Sequence, residues 1–312
     1  MQQRLFGNTG LRVSSIGFGA WLLNNPLQGG PDETESIRLV HAALDAGCNF
    51  FDTAPGYGDG ASEQLLGQAL RGRRREAVIC TKFGHTGLHT KDFSVARLRP
   101  SLEGSLRRLQ TDQVEVLLLH NPPADRLDGA QAADLYGELL MLQREGKLRA
   151  FGASMDWSHE LRTMTESTPS RAAEVLFNIF HQEPRFAFAG AAARGVGLIV
   201  KVPLDSGWLS GKYDRVSTFE GIRNRWPRSV IERRAGLVEQ VRALLPAGVS
   251  MPQAALRFVL AHPEVSTVIP GAKDVTQLQA NVSAAQEPLP AATIAALRQL
   301  WQDELRGHPL PW

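Results

Sequence analysis

The sequence predicts an α/β protein built as a (β/α)8 TIM barrel, and three observations lead there. Short apolar runs alternate with longer amphipathic runs along the whole chain. The apolar runs are nearly continuous, as strands are when helices cover a parallel sheet. Eight such strand–helix units fit within 312 residues, which suits a barrel of roughly 250 residues with additions better than a doubly wound sheet.

The elements follow in chain order. Residues 4–6 and 11–13, joined by Gly7-Asn8-Thr9-Gly10, read as a β-hairpin ahead of the first barrel strand, placed to close the bottom of the barrel. Barrel strands are expected at 15–19, 49–52, 78–82, 114–120, 150–154, 175–178, 198–202 and 267–269. Helical patterns lie between them, among them 33–46, 62–70, 102–109, 133–145 and 186–194. Asp32 stands where an N-cap belongs, and Gly47 and Gly146 stand where helices stop. The run Arg71-Gly72-Arg73-Arg74-Arg75 suits a helix C-terminus, where the dipole favours cations. The stretch 203–228, after the seventh strand, is too long for an ordinary βα loop and is expected to be functional. No linker or low-complexity segment divides the chain, so one domain over residues 1–312 is expected.

Composition narrows the function classes. A hydrophobic content of 43% with 21% charged residues describes a soluble globular protein with a sizeable core. A formal net charge of +2 gives no attraction to nucleic acid or membrane, and neither is expected as a partner. Cys48 and Cys80 both fall in predicted buried segments and read as reduced core residues. Residues 1–7 hold no apolar signal segment and no apolar stretch reaches a bilayer-spanning length, so a cytoplasmic location is the default expectation.

Four polar residues at or just beyond strand ends carry the chemistry. Asp52 closes Asn49-Phe50-Phe51-Asp52, and Tyr57 follows in a Pro-Gly-Tyr-Gly loop. Lys82 ends Val78-Ile79-Cys80-Thr81-Lys82, and His120 ends Val116-Leu117-Leu118-Leu119-His120. Taken singly, each has an ordinary structural explanation as a turn, surface or satisfied buried residue. A parallel barrel gathers such ends on one face, where its active sites sit. There a phenol can donate a proton, an ammonium lowers the cost of its phenolate, and a carboxylate holds the ammonium charged. An imidazole adds a hydrogen bond to a substrate oxygen.

These segments resemble the aldo-keto reductase family, over essentially the whole chain. Phe51-Asp52-Thr53-Ala54-Pro55-Gly56-Tyr57-Gly58 with Ser62-Glu63-Gln64-Leu65-Leu66-Gly67 is similar to its Asp–Tyr signature in a longer bacterial form. Thr81-Lys82-Phe83, Ser105-Leu106-Arg107-Arg108-Leu109 and Leu118-Leu119-His120-Asn121-Pro122 match its next landmarks. The resemblance implies that Tyr57 is the general acid, that Lys82 and Asp52 tune it, and that His120 positions the carbonyl. It places Ser154, Glu174 and Lys201 around the nicotinamide, and Leu204, Ser206, Gly207, Leu209 and Lys212 in a cofactor-covering loop. Gly271, Lys273, Gln277 and Asn281 fall in the adenosine-end motif, and Trp21 lies where an aromatic often lines the substrate pocket. Trp157, Trp208 and Trp226 lie on loops or turns that could add walls.

The chain departs from the family pattern at the nicotinamide end. Ser154 is followed by Met155 where the family usually has Asn, Glu174 stands for Gln, and Lys201 for a stacking aromatic. The expected consequence is a Glu174–Lys201 ion pair under the cofactor, which would alter redox preference or substrate fit; the alternative turns Lys201 toward phosphate or solvent. Lys273 and Gln277, with Arg223, Arg225 and Arg228 in the long loop, favour NADPH over NAD, because a 2′-phosphate needs such donors. The resemblance implies NADPH-dependent reduction of an aldehyde or ketone, a small-molecule carbonyl substrate. Two alternatives stay open: NAD-dependent oxidation of a sugar or secondary alcohol, and a cofactor-binding regulatory subunit with little turnover.

Other signals point nowhere. Gly17-Phe18-Gly19 lacks the third glycine of a dinucleotide fingerprint, Leu22 standing in its place. His85 and His89 have metal-compatible spacing but no Cys or carboxylate nearby in sequence, so no metal site is expected.

Overall fold

A computed structural model describes residues 1–25, 29–85 and 90–311, apart from the side chains of residues 130, 131, 222 and 223. Two short antiparallel strands, β1 (Gln3–Leu5) and β2 (Arg12–Ser14), form the expected N-terminal hairpin. Eight further strands follow, all parallel and each beside its predecessor: β3 (Phe18–Gly19), β4 (Phe50–Asp52), β5 (Val78–Phe83), β6 (Val114–His120), β7 (Leu148–Met155), β8 (Ala172–Leu176), β9 (Gly197–Lys201) and β10 (Val265–Val268). A parallel bridge between Ile16 and Val268 joins the last strand to the first and closes the ring. The fold is the TIM barrel that the alternation predicts.

Helices pack around the ring. They are α1 (Glu33–Asp45), α2 (Ala61–Ala69), α3 (Val95–Leu109), α4 (Gly129–Arg144), α5 (Ser158–Ser167), α6 (Phe188–Ala193), α7 (Arg228–Leu244), α8 (Met251–Leu260), α9 (Val275–Ser283) and α10 (Ala291–Glu304). Asp32 caps α1 as expected, accepting from the Glu35 N–H at 2.9 Å. Helix α3 starts well before residue 102, at Val95, and contains Pro100. The pattern at 186–194 is split: a 3-10 segment, Glu183–Ala187, turns into the short helix α6.

The hairpin does plug the barrel. Phe6, Leu11 and Val13 join Phe50, Val78, Cys80, Val116, Leu118, Ala150, Ala172, Ile199 and Ile269 in one buried interior cluster. The contact at Gly197 is close enough to exclude a side chain there, since a Cβ would stand 2.6 Å from the Phe6 ring. Cys48 and Cys80 are both buried and unbridged, although Cys48 lies just ahead of β4 instead of within a strand.

Strand ends differ from expectation by a few residues, and one difference matters. β8 begins at Ala172, ahead of the 175–178 segment, and so places Glu174 inside the sheet. Asn178 lies beyond the strand, where its side chain holds a turn by donating to Val202 O at 3.0 Å and accepting from the Phe180 and His181 N–H groups. β10 likewise begins two residues before the expected 267–269 segment.

Candidate active site

The site follows from strand periodicity. Successive residues of a strand face opposite sides, so the interior positions can be counted upward by twos. Phe50 leads to Asp52, Cys80 to Lys82, Leu118 to His120, Ala172 to Glu174 and Ile199 to Lys201. On β7, Ala150 leads in two steps to Ser154. Register places neighbours side by side: His120 pairs with Ser154, and Ser154 with Glu174. A polar layer therefore caps an apolar interior at the strands' C-terminal ends. Met155 belongs to the outer core instead, so it faces the helices.

Lys82 is the hub of this layer. Its ammonium donates to Asp52 Oδ1 at 2.5 Å and to Thr53 O at 3.1 Å, and lies 3.3 Å from Glu174 Oε2. Lys82, Asp52 and Glu174 are exposed by only 1%, 2% and 1%, so their charges must be settled among themselves. Burial penalises the Lys82 charge, but the two carboxylates outweigh it and raise the ammonium well above its usual range. Burial, then the nearby Glu174 charge, pushes Asp52 up to about 8 against the pull of Lys82. Glu174 goes the other way: burial opposes its charge, yet Lys82 and Lys201 hold it below the usual carboxylate range.

Tyr57 closes over this hub. The Lys82 ammonium lies 5.3 Å from the centre of the Tyr57 ring. The ring meets His120 edge-on, with centroids 6.0 Å apart. Burial, partly offset by Lys82, raises the phenol, which keeps it protonated. His120 is held well below its usual range, by burial first and then by Lys82, so its ring is neutral. His85 stacks on it at 4.2 Å. His120 Nδ1 and His85 Nε2 are buried and find no partner among the described residues. Trp21, Asn25, Phe83 and His85 line a cleft of about 960 Å³ beside Tyr57, together with Gly56 and Arg97.

The Glu174–Lys201 ion pair expected from sequence is not formed. Lys201 pairs with Asp156 at 3.0 Å and donates to Asn121 Oδ1 at 3.1 Å and to Ser154 Oγ at 2.8 Å. Ser154 Oγ in turn donates to Glu174 Oε1 at 2.8 Å. One hydroxyl thus separates the two residues, and Glu174 pairs with Lys82 instead. The physical reason is register: Glu174 sits level with Ser154 and Ile199, one strand step below Lys201.

The loop after β9 is ordered by an aromatic cluster. Val202, Asp205 and Ser206 take left-handed backbone conformations, with Gly207 at φ 98°. Trp208 and Trp226 are buried, packing with Tyr213 and Phe219, so neither lines the pocket. Trp157 instead borders a separate recess with His181 and Pro309. Arg234 of α7 holds the loop from beneath through a buried ion pair with Asp205, a hydrogen bond to Pro311 O at 2.8 Å and a stack on Trp226. Within this loop Ser206 and Gly207 are half-buried and Lys212 is exposed, but the Leu209 side chain is fully buried and can offer a ligand only its backbone.

The last segment is pre-organised by its own hydrogen bonds. Asp274 caps α9 by accepting from the Gln277 N–H at 2.8 Å, and Gln277 Oε1 accepts from the Lys273 N–H at 3.1 Å. Asn281 Nδ2 donates to Gly271 O at 3.2 Å. Of the arginines considered for a phosphate, Arg225 stacks on Trp226 and Arg228 pairs with Glu232 at 2.9 Å. The Arg223 side chain and all of His89 lie outside the described residues.

The polar layer offers groups that suit a nicotinamide. His120 Nδ1 is a buried polar atom without a hydrogen-bond partner among the described residues, and Ser154 stands beside His120 on the neighbouring strand. Asp52, Cys80 and Glu174 offer ligand atoms within 4.8 Å of one another, but the Lys82 ammonium already serves as their cation.

Comparison with known proteins agrees with this geometry. A sequence model described as the aldo/keto reductase family matches residues 15–302. Aldo-keto reductase YhdN of Bacillus subtilis (strain 168) is 31% identical over 297 residues, covering 90% of this chain and 87% of that protein. A protein named probable voltage-gated potassium channel subunit beta, from Oryza sativa subsp. japonica, is 31% identical over 307 residues, with 91% of each chain covered. The holo form of aldo-keto reductase AKR11C1 from Bacillus halodurans superimposes with a TM-score of 0.82 at 30% identity, covering 96% of both chains. The barrel, its polar layer and these likenesses together make the chain a member of the aldo/keto reductase family, an oxidoreductase of the NAD(P)H-dependent kind.

Proposed function

We propose that the protein reduces an aldehyde or ketone to an alcohol with NADPH, with Tyr57 as the general acid. The observation that carries this reading is the buried contact of Lys82 with Asp52 at 2.5 Å beneath the Tyr57 ring. The bound cofactor would supply the hydride. Tyr57 gives its proton to the oxygen that becomes an alkoxide, and the Lys82 ammonium stabilises the phenolate left behind. Asp52 anchors Lys82. His120, neutral and partly free of partners, directs a ring N–H at the carbonyl oxygen, where a preorganised donor acts on developing charge. Trp21 and His85 border the cleft through which the carbonyl compound enters.

Ser154 and Glu174 would hold the nicotinamide, with Lys201 fixing Ser154 from the other side. Leu204, Ser206, Gly207, Leu209 and Lys212 would cover the diphosphate, Leu209 through its backbone alone. Gly271, Lys273, Gln277 and Asn281 would frame the adenosine. Lys273 is the cation that favours NADPH over NADH. Titration of the purified protein with NADPH, NADH and the oxidised forms, followed by tryptophan fluorescence, tests this assignment. Tighter binding of the NADP pair agrees with it, and preference for the NAD pair redirects the search to sugar and alcohol oxidation.

A second reading, a cofactor-binding regulatory subunit with little turnover, draws on two observations. The Ser154 hydroxyl is already engaged by Lys201 and Glu174, and the rice relative is named as a channel subunit. Tight dinucleotide binding with negligible turnover on a broad carbonyl panel would favour it.

A further inference from the structure

The polar layer holds one more buried carboxylate than its cation can neutralise. From β4 comes Asp52, from β5 Cys80 and Lys82, and from the loop above them Tyr57. From β6 comes His120, with His85 stacked on it; from β7 comes Ser154, and from β8 Glu174. From β9 comes Lys201, whose charge is matched by Asp156, and from β10 Thr267. The Cys80 thiol and the Tyr57 phenol are held protonated by burial, and His120 is neutral. The charge of the centre therefore rests on Lys82, Asp52 and Glu174. With both carboxylates ionised, this buried group would carry a net negative charge, an expensive state in a site shielded from water. The Asp52 and Glu174 carboxyls converge on the Lys82 ammonium, at 2.5 and 3.3 Å, and offer oxygens within 4.8 Å of one another. Carboxyls so placed share a proton, because like charges in contact cannot both ionise cheaply.

We propose that Asp52 and Glu174 hold one proton between them around Lys82, which makes Glu174 a positioning residue of the proton-transfer centre. With that proton in place the centre is neutral beneath Tyr57. Without it, a net negative charge opposes release of the phenolic proton. The hydrogen bond from Ser154, itself fixed by Lys201, favours Glu174 as the ionised partner and leaves the proton on Asp52. The upward displacement of Asp52 to about 8 agrees with this division. Only the kinetic consequence rests on the carbonyl-reductase reading; the shared proton does not.

The test has a spectroscopic arm and a kinetic arm. Infrared spectroscopy of the full chain with carbon-13-labelled aspartate, without substrate, reads the carbonyl band of a protonated carboxyl. The wild type is expected to show an aspartic acid band at pH 6.5 that disappears as the pH rises through about 8. In E174Q, Asp52 is the sole counter-ion of Lys82, and the band should be absent at pH 6.5. D52N should also lack it, which provides a second variant should E174Q fold poorly. A wild type without the band at pH 6.5, or a band unchanged in E174Q or D52N, overturns the shared proton.

In the kinetic arm, kcat/KM of the wild type for its best carbonyl substrate should fall about tenfold between pH 7 and pH 9, as a group of pKa about 8 deprotonates. E174Q should lose that alkaline limb, changing less than about twofold over the same range. An alkaline limb that stays in place in E174Q overturns the kinetic role. Absence of turnover with every carbonyl counts against the reductase reading, and the infrared arm still decides the proton.

Discussion

Lys201 reaches Ser154 and not Glu174: its ammonium donates to the Ser154 hydroxyl at 2.8 Å, and that hydroxyl donates onward to Glu174 at 2.8 Å. The charges along this path alternate, from Lys82 through Glu174 and Lys201 to Asp156. Glu174 and Lys201, two of the three residues that depart from the usual family pattern, thus belong to one connected network, tied at its inner end to the catalytic candidate Lys82.

The Lys201→Met variant interrupts this network at its half-exposed end. Removal of a positive charge near the nicotinamide is expected to favour the cationic oxidised cofactor over the neutral reduced one. A pair screened by partial solvent exposure contributes about 1 kcal/mol, so the ratio of the two dissociation constants should shift roughly fivefold. Fluorescence titration with both redox forms reads this directly. Identical ratios in wild type and variant would place Lys201 outside the cofactor's field.

Asp52 links stability to alkaline pH. Its folded-state value, about 8, lies above an unfolded value near 4, so the folded chain holds the extra proton between these limits. The stability it contributes is complete below about pH 4 and is lost as the pH rises through about 8. Glu174, held low, has the opposite sign, and its contribution is lost on acidification. Urea unfolding should show the wild type losing on the order of 2 kcal/mol more than Asp52→Asn between pH 6 and pH 9. Parallel curves for the two proteins would remove Asp52 from this role.

Arg234 is expected to hold the loop after β9. Truncation to Ala leaves Asp205 buried without its cation and removes the stack on Trp226. Breaking such a pair costs about 3–5 kcal/mol. Lower urea midpoints, faster proteolysis within residues 203–228 and weaker dinucleotide binding should appear together. Unchanged proteolysis with reduced stability would show that the aromatic cluster alone orders the loop.

The barrel was readable in the sequence because its strands are apolar throughout and its helices amphipathic. The polar layer was readable as far as strand ends could be found. Asp52, Lys82 and His120 close runs whose ends are plain, and they lie in the structure where the runs place them. The start of β8 was less legible, because Ala172-Ala173 carries little strand character and the apolar run points to residue 175, although Glu174 lies within the strand. Counting interior positions by twos from Ala172 would have found it facing Lys82. The partner of Lys201 had no local signal: Asp156 lies in the turn after β7, 45 positions earlier in the chain. Trp208 and Trp226 were ambiguous for another reason. An aromatic in a long loop can wall a pocket or form the loop's own core, and only the contacts with Tyr213, Phe219 and Arg234 decide between them.

The central claim is proton donation by Tyr57 to a carbonyl reduced with NADPH. Its most direct test is the rate of NADPH oxidation over a panel of aldehydes and ketones, for the wild type and Tyr57→Phe, with dinucleotide affinity measured alongside. The account predicts turnover by the wild type, a loss of kcat/KM of about 10²- to 10⁴-fold in the variant and little change in NADPH binding. Equal turnover by the two proteins, or none by the wild type despite tight NADPH binding, would contradict it.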